Sequence, residues 1–524
     1  MSTPRYPIGD SSFRYIREHG FFYIDKTEAV YRLAHQSKYC FLSRPRRFGK
    51  SLLVSTLEAY FRGQRYLFDG LAMSGLEKEW TEYPVLRLDL SAGDMTCPDN
   101  LKALLNNRIS YMEDDYGRRN TETTFAERFS GVIRRAYEQS GHGVVVLIDE
   151  YDNPMISTLG NPEVHEQMRT TLKGIYTVLK AESEHIRFCF LTGITRFSKM
   201  SVFSGLNNLQ DLTLNPRYAD ICGITQYELE TYCSEGIETV AEINGVSYEE
   251  ALGKLKAFYD GYHFAYRSPD IYNPFSLLQA LQTGELYPYW NESGGRAEFL
   301  WKAVSRHADR DILGDILTPL MRVEQLGAPQ EGEMGLHTLL FQTGYLTIKS
   351  YEADEEVYRL GVPNREVMNG IMYGLLPYVA DSGDSNLTTD LYSLRKSANA
   401  GDADAMLRCL RSFLAGVSNR LTRKMPEIYY ENNLYILFTL TGLKTSVEVD
   451  TSDGRMDVLM ECRRHIYIIE LKLDRSAEEA LEQIRRKHYA LSLERRGLPV
   501  TLIGINFSTK TRNIESWKWE RINV

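Results

Sequence analysis

The sequence predicts an α/β protein of several domains, led by a doubly wound parallel sheet. Three observations point there. An apolar run, a basic loop and a helix-forming stretch follow one another in FLSRPRRFGKSLLVSTL, residues 41–57. A continuous apolar run, VVVLI at 144–148, ends in Asp149-Glu150, as a strand buried on both faces of a parallel sheet does. Strand-like and helix-like stretches alternate around these two, the pattern of βαβ units whose ligands sit at the carboxyl ends of the strands.

The segment FFYIDKTEAVYRLAHQ (21–36) comes first. Asp25 or Thr27 caps a helix there, and a place beside a nucleotide base is its functional alternative. The loop follows. Backbone N–H groups of such a loop and the N-terminus of its helix favour a di- or triphosphate. The general pattern is G-x-x-x-x-G-K-[ST], with Arg44 standing where the first Gly belongs. The expected binding loop is therefore Arg44, Pro45, Arg46, Arg47, Phe48, Gly49, Lys50, Ser51 and Leu52, with Lys50 reaching the β/γ-phosphates and the Ser51 hydroxyl on Mg²⁺. Gly-Lys-Ser triplets also open ordinary surface helices, so the rest of the chain decides.

PVLRLDLS (84–91) alternates like a strand, and helical stretches follow near 99–115 and 122–139. The run 143–149 is the next strand, 162–181 a helix, and HIRFCFLTGIT (185–195) another strand. Asp149 at a strand's carboxyl end is placed to hold Mg²⁺ opposite Ser51. Glu150 beside it is placed to polarise an attacking water. Capping of the next helix is the plain alternative for one such pair, and the Gly-Lys-Ser loop on an earlier strand weighs against it. One further strand, 84–91, lies between the loop and Asp149. Thr195 or Thr192, at the end of the 185–193 strand, is the candidate for sensing a γ-phosphate, with a turn-forming Thr as the alternative.

These residues carry a family resemblance. SRPRRFGKSLL, LIDEYDNP, LTGITRFSKMSVFSGLNNL, ICGIT, FYDGYHF and YNPFSLL together resemble the bacterial AAA-ATPase-like proteins, which are ATPase–nuclease fusions. The resemblance covers about residues 5–300 and a second part at the C-terminus. It implies a P-loop NTPase fold that binds ATP, and Arg44 at the first loop position is usual among such proteins. Arg196, Lys199, Asn207 and Asn208 receive no role from the sequence.

From about 220 to 300 the pattern is helical with aromatic breaks and reads as a lid. Residues 337–367 read as helix, strand, polar turn, strand, helix, which resembles a winged-helix unit. Its acidic turn (Glu352, Asp354, Glu355, Glu356) disfavours phosphate contact and favours a packing role. Residues 381–426 read as a helical linker.

The C-terminal hundred residues carry a second chemistry. Strands are expected at 445–450, 455–460 and 466–472. A tight hairpin centred between Arg463 and Arg464 sets Asp457 opposite Glu470, with Cβ atoms within about 5.5 Å on one face. Lys472 shares that face, two residues on. Paired carboxylates suit Mg²⁺ or Mn²⁺, and Lys472 suits a water attacking a phosphodiester. A surface hairpin with a charge network is the alternative. It is opposed by the apolar run before Glu470 and by Met456, Val458 and Met460, expected on the other face. The stretch resembles the PD-(D/E)XK nuclease fold, with Asp457 as the first carboxylate, Met456 in place of the usual Pro, and Glu470-Leu471-Lys472 as the (D/E)-x-K. The resemblance implies an added acid from a preceding helix, in the slot of Glu431. Gln483 and Lys487, four apart on the following helix, are placed to reach the scissile region or the backbone, with solvated helix surface as an equal alternative for Lys487.

Composition frames the reading. The 524 residues are 43% hydrophobic and 25% charged, with net charge −9, which argues against a wholly basic nucleic-acid coat. Residues 420–524 hold 18 Lys and Arg against 15 Asp and Glu, a mild local basic excess. The seven cysteines form no CxxC pair and read as reduced, buried thiols of a cytoplasmic protein. No apolar run is long enough to span a membrane, and the N-terminus lacks a signal pattern. The expected domains are an ATPase domain over 1–215, a helical lid over 216–300, a winged-helix-like module over 301–380, a helical linker over 381–426, and a restriction-endonuclease-like α/β domain over 427–524. The expected function is ATP binding and hydrolysis coupled to metal-dependent cleavage of nucleic acid, DNA by preference. Defence or mobile-element biology is the analogy, and a homo-oligomer is left open. The alternative is a nucleotide-dependent switch or scaffold that binds nucleic acid without cutting it.

Overall fold

Five mutually parallel strands organise the first half of the chain: β1 (Tyr39–Ser43), β2 (Val85–Asp89), β3 (Val144–Asp149), β4 (Ile186–Gly193) and β5 (Gln210–Asp211), in the order β2-β3-β4-β1-β5. The structure is a computed structural model, and it describes residues 5–196, 208–290, 317–327, 335–379, 387–418, 426–451, 454–462, 464–489, 493 and 497–522. Lys199, Asn207 and Arg463 lie outside those residues. β3 is buried along its whole length, as its unbroken apolar run requires. The strand that separates β1 from β3 in space is β4. β2, which intervenes in sequence, forms an edge instead.

Helices cover the sheet. The Phe125–Ser140 helix opens with a Thr124/Glu127 capping box and ends at Gly141 in the left-handed conformation, so both boundaries are written locally. Together with the Pro98–Tyr116 and Pro162–Ala181 helices it buries Leu105, Ile133, Leu172 and Ile175 against Val146 and Ile148. The Lys50–Phe61 helix follows β1, and its N-cap Gly49 has φ +89°, a conformation that glycine adopts without strain. Cys40 and Cys189 are buried on β1 and β4, and all seven cysteines are free thiols.

The chain divides into two compact units, Met1–Gly294 with Pro319–Val367, and Gly295–Thr318 with Met368–Val524. Within the first, the helices Gln226–Tyr232, Ser234–Asn244, Tyr248–Tyr259 and Pro274–Thr283 share a core of Leu229, Ile237, Leu255, Tyr259 and Leu277 with Tyr6. The short strands β6 (Ile224–Thr225) and β7 (Ile271–Tyr272) pair antiparallel beside it. Strands β8 (Leu320–Arg322), β9 (Thr347–Glu352) and β10 (Val357–Gly361) form an antiparallel sheet next to the Leu336–Thr343 helix. This module packs on the phosphate loop: Gly344 approaches so closely that a Cβ would stand 2.7 Å from the Pro45 Cβ.

The second unit is built on β11 (Lys444–Thr451), β12 (Gly454–Glu461), β13 (Ile466–Leu473), β14 (Val500–Ser508) and β15 (Asn513–Ile522), in that order across the sheet. Only the β13–β14 pair is parallel. The helices Leu387–Ala400 and Ala403–Ser418, where the sequence suggests a linker, contribute Leu394, Met406, Leu407 and Leu410 to one core with Tyr467, Ile469 and Ile503. The Ala477–Arg486 helix covers the other face through Leu481 and Ile484. Met456 belongs to this second cluster, away from Val458 and Met460, because the β12 ladder with β13 ends at Val458.

Candidate functional site

The carboxyl ends of β1 and β3 frame a cavity of about 420 Å³, a size that suits a nucleotide. Arg46, Arg47, Gly49, Lys50, Ser51, Leu52 and Glu150 all line it. Lys50 is 4% exposed, and its Nζ lies 3.2 Å from Glu150 Oε1 and donates to the Pro45 carbonyl at 3.3 Å. A compact ammonium held this way is a point charge at the loop's centre.

Asp149 is 1% exposed at the end of β3. Burial pushes its carboxyl up to about 6, helped by Glu150 and opposed by the hydrogen bond from the Ser51 side chain. Its Oδ1 is buried without a partner. Arg87 of β2 stands 3.8 Å from Oδ2 and 3.1 Å from Glu58. A carboxylate oxygen left over beside a serine hydroxyl fits Mg²⁺, which is held by one or two carboxylates with waters and phosphates.

Arg44, Phe48 and Thr195, expected to contact the nucleotide, do not line the cavity, and neither does Pro45. Arg44 is 1% exposed and does not line the cavity. Its guanidinium donates to the carbonyls of Ser43 (2.8 Å), Thr213 (2.9 Å) and Tyr218 (3.0 Å) and stacks 4.2 Å over Phe264. Arg44 is thus a tether at the loop's entrance, not a phosphate ligand. Phe48 is buried edge-on to Tyr262 and Phe264. Thr195 is fully buried and its hydroxyl donates to Asp152 at 2.6 Å, which leaves it nothing for a phosphate. Thr192 is likewise spent, on the Leu42 carbonyl. Arg196 pairs with Asp211, and its N–H donates to Gln342.

A second, apolar hollow of about 100 Å³ adjoins the first and shares Pro7, Gly49, Leu52, Pro274 and Leu278 with it. Phe22, Tyr23 and Ile24 line it, just before the Thr27–Gln36 helix, and Asp25 accepts from both the N–H and the hydroxyl of Thr27. Apolar walls next to a phosphate loop suit the flat face of a base.

In the second unit the register of β12 against β13 runs to Val458↔Ile469, which sets Asp457 and Glu470 at the next opposed step. There the ladder gives way, and Asp457 Oδ2 accepts the Leu471 N–H at 2.7 Å. Glu470 is fully buried. Lys472 Nζ is 3.3 Å from Glu470 Oε1, and the Gln483 amide donates to the same oxygen. Burial raises both carboxyls above their usual range, and their mutual repulsion raises Glu470 further, against the pull of Lys472. Glu470 Oε2 is buried without a partner. A divalent cation between the two carboxylates would satisfy that oxygen and relieve the repulsion. Among the described residues no cluster of three or more His, Cys, Asp or Glu makes a ready-made cage, which is consistent with an ion that keeps waters or substrate oxygens.

Glu427 on the preceding helix adds its charge to the surroundings of Asp457, with Oε1 buried and unpartnered. Glu431, expected in that role, sits one turn further along the Glu427–Leu440 helix. Glu427 escapes sequence reading because it follows Pro426 at the helix start, where an acid is explained by the helix dipole alone. Asp152 escapes it for a similar reason, standing before Asn153-Pro154 like a cap. Tyr489 donates to the Arg455 carbonyl.

Two stretches of the chain match known families. Residues 7–203 match the family described as Predicted AAA-ATPase, and residues 425–517 match the PD-(D/E)XK nuclease superfamily. The chain is 34% identical over 527 residues to a protein of Azotobacter chroococcum mcd 1, described as an uncharacterized protein in the vnfD 5' region, with 98% of each chain covered. The ORC2 protein of Aeropyrum pernix in its ADP form matches at 12% identity and a TM-score of 0.26, over 72% of this chain and 97% of that one. The chain belongs to the AAA-ATPase-like family and joins its P-loop domain to a domain of the PD-(D/E)XK nuclease superfamily.

Proposed function

We propose that the protein binds and hydrolyses ATP and uses that cycle to control a metal-dependent DNA phosphodiesterase in its second unit, working in the cytoplasm. The observation that carries the reading is the Asp457–Glu470–Lys472 set, a half-buried and a fully buried carboxylate with an ammonium between opposed strands. Alternating surface charges do not leave a glutamate fully buried with an unpartnered oxygen.

At the first site, Gly49 and the loop N–H groups hold the phosphates and Lys50 neutralises them. Ser51 and Asp149 would hold Mg²⁺, which supplies charge stabilisation to the transferring phosphoryl group. Glu150 orients and polarises the water. The apolar hollow at Pro7, Ile24 and Leu278 takes the base. At the second site Asp457 and Glu470 would hold Mg²⁺ or Mn²⁺, which lowers the pKa of a water and stabilises the charge that develops on the phosphate. Lys472 positions that water, and Gln483 holds the Glu470 carboxylate in place.

The test is cleavage of plasmid and linear DNA with Mn²⁺ or Mg²⁺, with and without ATP. Wild type is compared with Lys50→Ala and Asp457→Ala. The expected result is cleavage that is lost in Asp457→Ala and whose ATP dependence disappears in Lys50→Ala. Retained cleavage in Asp457→Ala overturns the assignment. ATP binding with no cleavage by any form makes the protein a nucleotide-dependent scaffold.

A further inference from the structure

The exit of β3 carries a third carboxylate, one that the chemistry above does not use. Asp152 is fully buried three residues beyond Asp149, and its side chain makes no cap bond to the Asn153–Ile156 helix that it precedes. It reaches to the exit of β4 instead. Its Oδ2 accepts the N–H of Ile194 at 3.0 Å, the N–H of Thr195 at 2.5 Å and the Thr195 hydroxyl at 2.6 Å. A Cβ on Gly193 would overlap this carboxylate, so the close approach requires glycine there. Tyr151 adds parallel ties: its N–H donates to the Thr192 carbonyl at 3.1 Å and its hydroxyl to the Thr195 carbonyl at 2.9 Å.

Just before these ties, Glu150 has φ +50°, in the left-handed region that is costly for a residue with a Cβ. Such a conformation persists only where its surroundings over-determine it. Tyr151 and Asp152 provide that constraint by fixing the two residues after Glu150 to the neighbouring strand. The outcome is a Glu150 carboxylate that lines the cavity 3.2 Å from Lys50.

We propose that Asp152 and Thr195 are positioning residues for ATP hydrolysis, a buried clamp that locks the β3 exit to the β4 exit and so aims Glu150 at the attacking water. The inference rests on the reading of the first site as an ATPase. It also gives a part to Thr195, which does not line the cavity and whose hydroxyl is spent on Asp152. Phosphate binding depends on the loop at the end of β1; that loop meets the β4 exit through the Arg44 N–H and the Gly193 carbonyl, while Asp152 and Thr195 do not line the cavity. Loosening the clamp therefore acts on turnover and spares affinity.

The experiment compares wild type, Glu150→Gln, Asp152→Asn, Thr195→Val and Thr195→Ser in the full chain. It measures ATP turnover, affinity for a fluorescent ATP analogue, and thermal stability. Asp152→Asn and Thr195→Val are expected to lower kcat roughly 10- to 100-fold, as a small misplacement of a catalytic group does. Their nucleotide Kd is expected to stay within about twofold of wild type, while Thr195→Ser, which keeps the hydroxyl, keeps wild-type turnover. Wild-type kcat in Asp152→Asn and Thr195→Val overturns the clamp. So does a matched fall of affinity, stability and turnover. Should Asp152→Asn fail to fold, the Val and Ser variants of Thr195 decide alone. Wild type that binds the analogue and turns over no ATP defeats the ATPase reading and the clamp with it. Wild-type turnover that is lost in Glu150→Gln and unchanged in the clamp variants defeats the clamp alone.

Discussion

Glu427 and Glu431, one helical turn apart, give a sharp test at the scale of single residues. Glu427 raises the Asp457 carboxyl through space. Glu427→Gln is therefore expected to slow metal-dependent cleavage and weaken Mn²⁺ binding by about 10- to 100-fold, the usual penalty for losing a group that supports a metal site. Glu431→Gln, measured beside it, assigns the helix acid: a loss confined to Glu431→Gln, with Glu427→Gln near wild type, would give the role to Glu431. Arg44 makes a different prediction. Burial lowers its pKa to about 10, yet three carbonyls and the Phe264 ring hold the guanidinium in place. Arg44→Met strands those carbonyls and should destabilise the first unit by about 2–4 kcal/mol in urea unfolding. Arg44→Gly, which restores the general loop pattern, should be no better, since it removes the same tether. Arg44 shows why a motif position misleads: the sequence marks where a residue stands, and its long side chain turned away from the ligand.

The elements around the loop explain what was legible and what was hidden. Strands β1, β3 and β4 and the Pro162–Ala181 helix stand where apolar runs and periodicity put them, because burial on both faces leaves no choice of residue type. The β12–β13 register that leads up to Asp457 and Glu470 was legible as well, since a tight turn fixes antiparallel register. Contacts made by single polar side chains across the fold were not. Trp290 is one: its indole N–H donates to the Arg46 carbonyl at 3.3 Å, and its backbone N–H donates to Glu366 at 2.9 Å. Glu366 is fully buried, and burial pushes its carboxyl up to about 8, against the Trp290 and Ser276 hydrogen bonds. Between the ordinary glutamate range and about 8, the folded state binds more protons here than the unfolded state does. Stability therefore falls as pH rises through that window, by the linkage of proton binding to folding. Glu366→Gln keeps the acceptor for Trp290 and removes the titration. Its melting temperature should exceed that of wild type at pH 8.5, and the gap should close toward pH 5; an equal gap at both pH values would mean that Glu366 does not titrate in this range.

At the scale of the whole molecule, each unit has its own cores. Val146, Ile148 and Leu172 centre the first, and Leu407, Tyr467 and Ile503 the second. The helices at 387–418 join the second unit although their stretch reads as a linker, because a polar, Gly- and Asp-containing sequence hides an apolar stripe that only the nuclease sheet completes. Separate cores predict separate unfolding, so the chain should melt in two calorimetric transitions. A ligand stabilises only the unit that binds it, by about 2.7 kcal/mol at a hundredfold excess over Kd. Mg²⁺-ATP should raise one transition and leave the other in place, and Lys50→Ala should abolish the rise. Mn²⁺ without nucleotide should raise the other, and Asp457→Ala should abolish that. A single transition, or an ATP-induced rise in both, would show that the two units fold and bind as one. In that case nucleotide binding is felt at the nuclease site through shared stability, and the Lys50→Ala variant would weaken metal binding at Asp457 and Glu470 as well.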